Sequence, residues 1–255
     1  MWLINTRSLL LEEKRAGEPD CWKYAILSHT WDGCEEVSFL EYKSIVSNLH
    51  QSLGTGLGTE IRFSSQADLD RASPKKRGFH KIYHTCDLAR ARGIGYVWVD
   101  TCCIDKSSSS ELSEAINSMF RWYQEAEVCF AYLTDLPAGE GTATRGDLNG
   151  QRSVEFYDKD WNLRGSKGTL ESILFDITRI LPKVLRDSST LPEFPLGQRM
   201  SWASDRHTER VEDLAYCLFG IFDVHLPLIY GEGTKAFIRL QEAIAQDSND
   251  LSLFA

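Results

Sequence analysis

The run GYVWVDTCCIDK, Gly95 to Lys106, sets two carboxylates, two thiols and an ammonium directly behind a short apolar stretch. YAILSHTW, Tyr24 to Trp31, ends in the same manner with Ser28, His29, Thr30 and Trp31. Asp100 and Asp105 offer negative charge and proton acceptors. Cys102 or Cys103 beside His29 would make a thiol nucleophile, which needs an imidazole within hydrogen-bond reach of the sulfur. Adjacent cysteines behind a buried strand fit plain core packing equally well.

Other groups have chemistry-bearing spacing but lack a complete motif. His80 and His84 stand at i, i+4, with His50 and Cys86 as nominal further ligands, yet no third-ligand motif follows, and no metal is expected. GEGTK, Gly231 to Lys235, superficially resembles a phosphate loop without the GxxxxGK[ST] spacing that wraps a phosphate. Arg199, Arg206 and Arg210 lie around a helix start, where guanidinium groups and free N–H groups suit an anion; salt bridges to Glu209, Glu212 or Asp213 explain them as well.

The elements that must position these groups follow from periodicity. Apolar, β-branched and aromatic runs predict strands from Tyr24, Tyr96, Val128 and Ser153. Phe79, Ile82, Tyr83, Cys86 and Ala89 follow helical spacing up to Gly93, a natural cap. Leu112, Ile116, Met119, Phe120 and Tyr123 form a second apolar face, opened by SSSE at Ser108 as a capping box. Such alternation predicts an α/β fold, a parallel sheet flanked by helices. Beyond Asp160 the pattern turns helical, around Leu170 to Ile177, Val211 to Leu218 and Phe237 to Ile244, which predicts an appended C-terminal helical region. Ser52–Lys76 and Leu136–Gln151 are rich in Gly, Ser and Thr and read as loops. The whole of 1–255 is expected as one domain, with a sheet part over 24–160 and a helical part over 161–255.

In a parallel sheet, ligands bind beyond the carboxyl ends of the strands. The predicted strands end in Ser28, His29 and Thr30; in Asp100, Cys102, Cys103 and Asp105; in Thr134 and Asp135; and in Asp158, Lys159 and Asp160. A pocket lining is one explanation. Strand ends that simply meet water are the other.

Composition narrows the partners. A formal charge of −9 without a basic stripe argues against a nucleic-acid surface. There is no signal-peptide pattern and no apolar run of about 18 residues, so a cytoplasmic chain without a membrane span is expected. Seven cysteines without CxxC spacing read as reduced thiols.

YAILSHTW, the block from GFHKIYHTCDLARARGIGYVWVDTCCID to VCFAYLTDL, and RMSWASDRHTERVEDLAYCLFGIFDVHLPLIYGEG together resemble the fungal heterokaryon-incompatibility (HET) domain. The resemblance covers most of the chain outside the two loops. It implies an effector of self/non-self recognition, innate-immunity-like and leading to programmed cell death, whose protein partners are a sensor or further copies of itself. It also implies a remote likeness to TIR domains, some of which hydrolyse NAD, so NAD is implied as a substrate and no cofactor is expected. On that reading the catalytic candidates are Ser28, His29, Asp100, Asp105 and Glu140, and Thr30, Trp31, Cys103, Arg199 and Arg210 bind the ligand. The family's glutamate is expected in a WTLQE-type segment between the third and fourth predicted strands. This chain has AGEGTATRGDLNGQR there, where only Thr144-Arg145-Gly146 is similar to the start of that motif and Glu140 is the sole glutamate. The alternative is a non-catalytic signalling or self-association module.

Overall fold

The computed structural model describes residues 1–14, 22–54, 56, 58–72, 76–139 and 153–254. It divides into two compact units, one of Met1–Leu112 with Glu125–Ser166, the other of Ser113–Gln124 with Lys167–Ala255.

The first unit is built on a seven-stranded sheet. In chain order its strands are β1 (Trp2–Asn5), β2 (Leu11–Glu13), β3 (Tyr24–His29), β4 (Tyr96–Trp98), β5 (Val128–Tyr132), β6 (Ser153–Tyr157) and β7 (Leu163–Ser166), and their spatial order is β2-β1-β4-β3-β5-β6-β7. The four strands expected from sequence form the centre, and β4, β3, β5 and β6 all run parallel. Counted along the chain, that centre has the order 2-1-3-4 of a doubly wound sheet. The expectation of a parallel sheet needs correction at the flanks. β1 pairs antiparallel with β2 and β4, and β7 antiparallel with β6, which makes the whole sheet mixed.

Ala25, Ile26 and Leu27 of β3, Val97 and Trp98 of β4 and Phe130 of β5 are fully buried. Strands covered on both faces have no polar alternation to keep, hence their continuous apolar runs. Each large apolar side chain so buried contributes about 1.5–3 kcal/mol.

The first unit's own helices are α1 (Phe39–Ser52), α2 (Gln66–Ala72) and α3 (Arg77–Ala91). A capping box opens α1, in which the Ser38 N–H donates to Glu41 at 2.9 Å. Within Ser52–Lys76, expected as a loop, α2 forms behind the Ser65 side chain, whose Oγ accepts the Asp68 N–H at 3.2 Å. That local cap offsets the Gly-rich context before it. α3 buries Phe79, Ile82, Tyr83, Cys86 and Ala89 as its spacing predicts and ends in a Schellman motif. There Gly93, at φ +73°, donates to Arg90 O at 2.9 Å and Ile94 donates to Ala89 O at 3.0 Å.

One buried ion pair ties α3 to the sheet. Arg92 Nη2 lies 2.6 Å from Glu155 of β6, whose side chain is 3% exposed, and both reach the Tyr157 hydroxyl at 2.8 Å. The guanidinium also covers the Phe130 ring at 4.8 Å.

α4 (Ser109–Glu125) supplies Ser113–Gln124 to the second unit. Its capping box is half formed, since Ser108 Oγ receives the Glu111 N–H at 3.4 Å while Glu111 Oε1 takes the Asp105 N–H at 2.9 Å. The remaining helices are α5 (Glu171–Thr178), α6 (Pro182–Arg186), α7 (Leu196–Ser201), α8 (Asp213–Tyr216), α9 (Phe219–Phe222) and α10 (Lys235–Asp247). Leu196, Tyr216, Phe219, Leu240 and Ile244 are central to this unit's core. Asn117 of α4 exchanges two bonds with the Leu226 backbone, each of 3.1 Å. Among the described residues no helix is long and apolar enough to cross a membrane.

Candidate functional site

The parallel register of β3 and β4 pairs Ile26 with Trp98, so the chain emerges at His29 on one strand and Asp100 just beyond the other. His29 Nε2 lies 3.2 Å from Asp100 Oδ1, and the imidazole is 1% exposed. Trp31 Nε1 donates to the second Asp100 oxygen, Oδ2, at 2.9 Å. Asp100 is thus positioned from two sides while 22% of its side chain still meets solvent.

The other imidazole nitrogen, Nδ1, faces Lys81 Nζ at 3.0 Å. Lys81 is a helix lysine on a buried face, in line with Gly78, Ile82 and Thr85, and its side chain is only 6% exposed. A buried ammonium needs a partner. Glu36 supplies it in a close ion pair, and Thr30 O stands 3.5 Å away. Glu36 Oε1 also accepts the Asp32 N–H at 2.9 Å. The approach depends on Gly78, where a Cβ would come within 2.7 Å of Glu35 O and 2.9 Å of Glu36 Cα. A chain of acid, imidazole, ammonium and acid results, Asp100–His29–Lys81–Glu36, and its outer end is the only one open to solvent to such an extent. A carboxylate so placed can steady a cationic centre or accept a proton.

The other residues singled out by sequence fall as follows. Ser28, one residue before His29, faces the opposite side of the sheet by strand alternation. Thr30 is exposed, and Trp31 is 45% exposed with Lys106 Nζ 3.8 Å above its ring. Asp105 binds the Ser107 N–H at 3.0 Å, and the Ser107 contacts hold its carboxyl below the usual range. Cys102 is fully buried, which pushes its thiol well up, and Cys103, 2% exposed, receives the Val99 N–H at 3.4 Å. His29 therefore spends its nitrogens on Asp100 and Lys81 rather than on a thiol. Glu140 lies outside the described residues.

At the far strand ends, Asp158 is fully buried and organises the β6–β7 turn, accepting the Asp160 and Asn162 N–H groups at 3.0 and 2.9 Å. Trp161, in the left-handed region at φ +62°, stacks on Tyr132 at 4.4 Å and on His84 at 5.6 Å. Burial lowers the pKa of His84. His80 pairs with Asp70 at 3.5 Å and His50 reaches Ser8 O at 2.9 Å, so the nominal histidine ligands are dispersed. Among the described residues no group of His, Cys, Asp and Glu is arranged to hold a metal.

Arg199 and Arg210 belong to the second unit. Arg199 donates to Ile221 O at 3.1 Å and lies over Phe222, and Arg210 covers Tyr230 at 4.4 Å. The GEGTK turn does hold an anion, one from its own chain. Glu212 Oε1 accepts the N–H groups of Gly231 and Gly233 at 2.8 and 3.0 Å, and the bond from its own backbone N–H, together with these two, keeps its carboxyl below the usual range. An apolar cavity of about 400 Å³ in this unit, bordered by Met200, Leu214 and Phe237, contains none of the residues expected to act.

An α/β protein with a polar chain sunk into the carboxyl edge of its parallel centre is the class these residues define. The chain belongs to the heterokaryon incompatibility family, whose sequence model, Heterokaryon incompatibility protein (HET), matches residues 24–176. Vegetative incompatibility protein HET-E-1 of Podospora anserina is 41% identical over 251 residues, which cover 90% of this chain and 16% of that protein. The chain thus spans about a sixth of the length of that relative. No solved structure matches it.

Two members of the central chain, Lys81 and Glu36, escaped sequence reasoning. The available signal was Lys81 itself, a charge at an apolar-face position one residue before Ile82. Its partner could not be found that way, because Glu36 lies 45 residues upstream in an irregular segment.

Proposed function

We propose that this chain is an effector of fungal heterokaryon incompatibility, a HET domain whose activation leads to programmed cell death, and that it acts by hydrolysing NAD at Asp100. The observation that carries the reading is the placement of Asp100 at the carboxyl edge, held by His29 and Trp31 with an oxygen edge toward solvent. Lys81 and Glu36 cancel one another, so the negative charge left over sits on Asp100 and suits the cationic nicotinamide ribosyl group. When the ribose C1′–N bond breaks, its electron pair leaves with neutral nicotinamide, and positive charge grows at C1′ beside the carboxylate. Water then bonds to C1′ and gives a proton to Asp100, which releases it to solvent. The products are nicotinamide and ADP-ribose. The parallel centre flanked by helices supports a TIR-like reading of the first unit, and the all-helical elements described after Ser166 support an appended helical region.

The second reading, a self-association or sensor-docking module, is favoured by a different observation. His29, Lys81 and Glu36 bind one another as a fold-organising chain would, and the WTLQE-type segment is missing from the sequence. Nicotinamide release by the purified chain, followed by chromatography, separates the two. Turnover that Asp100→Asn abolishes in a folded protein supports hydrolysis. No turnover from concentrated wild-type protein leaves the docking module.

A further inference from the structure

We propose that Lys81 is a positioning residue that fixes the tautomer of His29, keeping the ring neutral with its proton on Nε2, directed at Asp100. The tautomer follows from the geometry alone; its catalytic consequence rests on the reading of Asp100 given above. A lysine ammonium has three donors and no acceptor. At 3.0 Å from His29 Nδ1, it requires that nitrogen to offer its lone pair, so Nδ1 carries no proton. The ring proton then sits on Nε2 and is donated to Asp100 Oδ1 over 3.2 Å. Lys81 is itself held by Glu36 and by Thr30 O, which account for its remaining donors.

The charged groups facing the imidazole are Lys81, Glu36 and Asp100, with Glu36 Oε1 3.8 Å from Nδ1. Remove the ammonium and Glu36, 3.8 Å away, becomes the charged group that faces Nδ1, which favours a proton there. The ring turns into an imidazolium between two carboxylates, and positive charge arrives beside Asp100. A cationic substrate would then meet a neutralised acid. Lys81 thus keeps the positive charge on its own ammonium, behind the imidazole, while His29 Nε2 donates the hydrogen bond to Asp100.

The test is two-bond proton–nitrogen correlation NMR on the full chain with nitrogen-labelled histidine, the His29 signals assigned by their loss in His29→Gln. In the wild type, Nδ1 is expected at a pyridine-type shift and Nε2 at a pyrrole-type shift near neutral pH. Lys81→Met should move Nδ1 to a protonated shift, and Lys81→Arg should retain the wild-type pattern. Glu36→Gln, which leaves the Lys81 donor in place, should retain it too. A wild-type proton on Nδ1 overturns the proposal, as does an unchanged pattern in Lys81→Met. If that variant fails to fold, a flipped tautomer in Glu36→Gln overturns it and a retained one supports it. The readout needs no turnover, so the expected tautomer in a chain that releases no nicotinamide would sink the hydrolase reading and leave the role of Lys81 standing.

Discussion

Trp31 donates its indole N–H to Asp100 Oδ2 at 2.9 Å, so a largely exposed aromatic ring is anchored by the same carboxylate that receives His29. That bond is exposed, so it adds little to the stability of the fold, yet it fixes the direction of the carboxylate oxygen. Trp31→Phe keeps the ring and removes the donor. If Asp100 acts on NAD, nicotinamide release should fall by about tenfold or more. The thermal midpoint should barely move, because the ring is 45% exposed. Release and midpoint falling together in proportion would show Trp31 to be only a support of the fold.

Arg92→Leu tests the buried pair beneath the sheet. Glu155 would stay 3% exposed without its guanidinium, and stranding a buried charge costs about 3–5 kcal/mol. Urea unfolding should show that loss, and Arg92→Leu combined with Glu155→Leu should recover a good part of it. A single variant as stable as wild type would contradict the pairing.

Acid should remove one specific contribution to stability. Lys76, together with Ser38, lowers the Glu41 carboxyl from an ordinary 4.5 to about 2. Because the folded-state value is depressed, the stabilisation is fully present above pH 4.5 and is lost as pH falls toward 2. The pair is solvent-exposed, so its share is below about 1 kcal/mol. Glu41→Gln should therefore unfold at slightly lower urea than wild type at neutral pH, and the two curves should converge as pH approaches 2. A gap that stays constant with pH would refute this linkage.

Gly231 offers a test in the second unit. Its φ of +99° is a region that L residues rarely adopt, although a Cβ there would meet nothing within 4 Å. Gly231→Ala should cost about 1–3 kcal/mol through backbone strain alone. An unchanged unfolding midpoint would mean that the turn relaxes freely and that the Glu212 clamp does not fix it.

The central strands were legible because burial on both faces leaves continuous apolar runs, as in Ala25 to Leu27 and Val97 to Trp98. β1, β2 and β7 were not, since strands of three or four residues on the flanks of the sheet carry too little periodicity to stand out. α2 hid in a Ser- and Gly-rich stretch whose helix depends on a side-chain cap. In the site, His29 and Asp100 could be read because each closes a recognisable strand. Their partners could not, because an ion pair between a helix lysine and a distant loop glutamate is a fact of packing with no pattern along the chain.

Gly78 gives this arrangement a particular brittleness. The bare backbone there lets the first turn of α3 press on Glu35–Val37, the same segment that carries the counterion of Lys81. Any side chain at position 78 would push the helix and the loop apart, and the lysine would retreat from its glutamate and from the imidazole together. Drift at one small residue could thus loosen the support of Asp100 while every residue touching that carboxylate stayed the same.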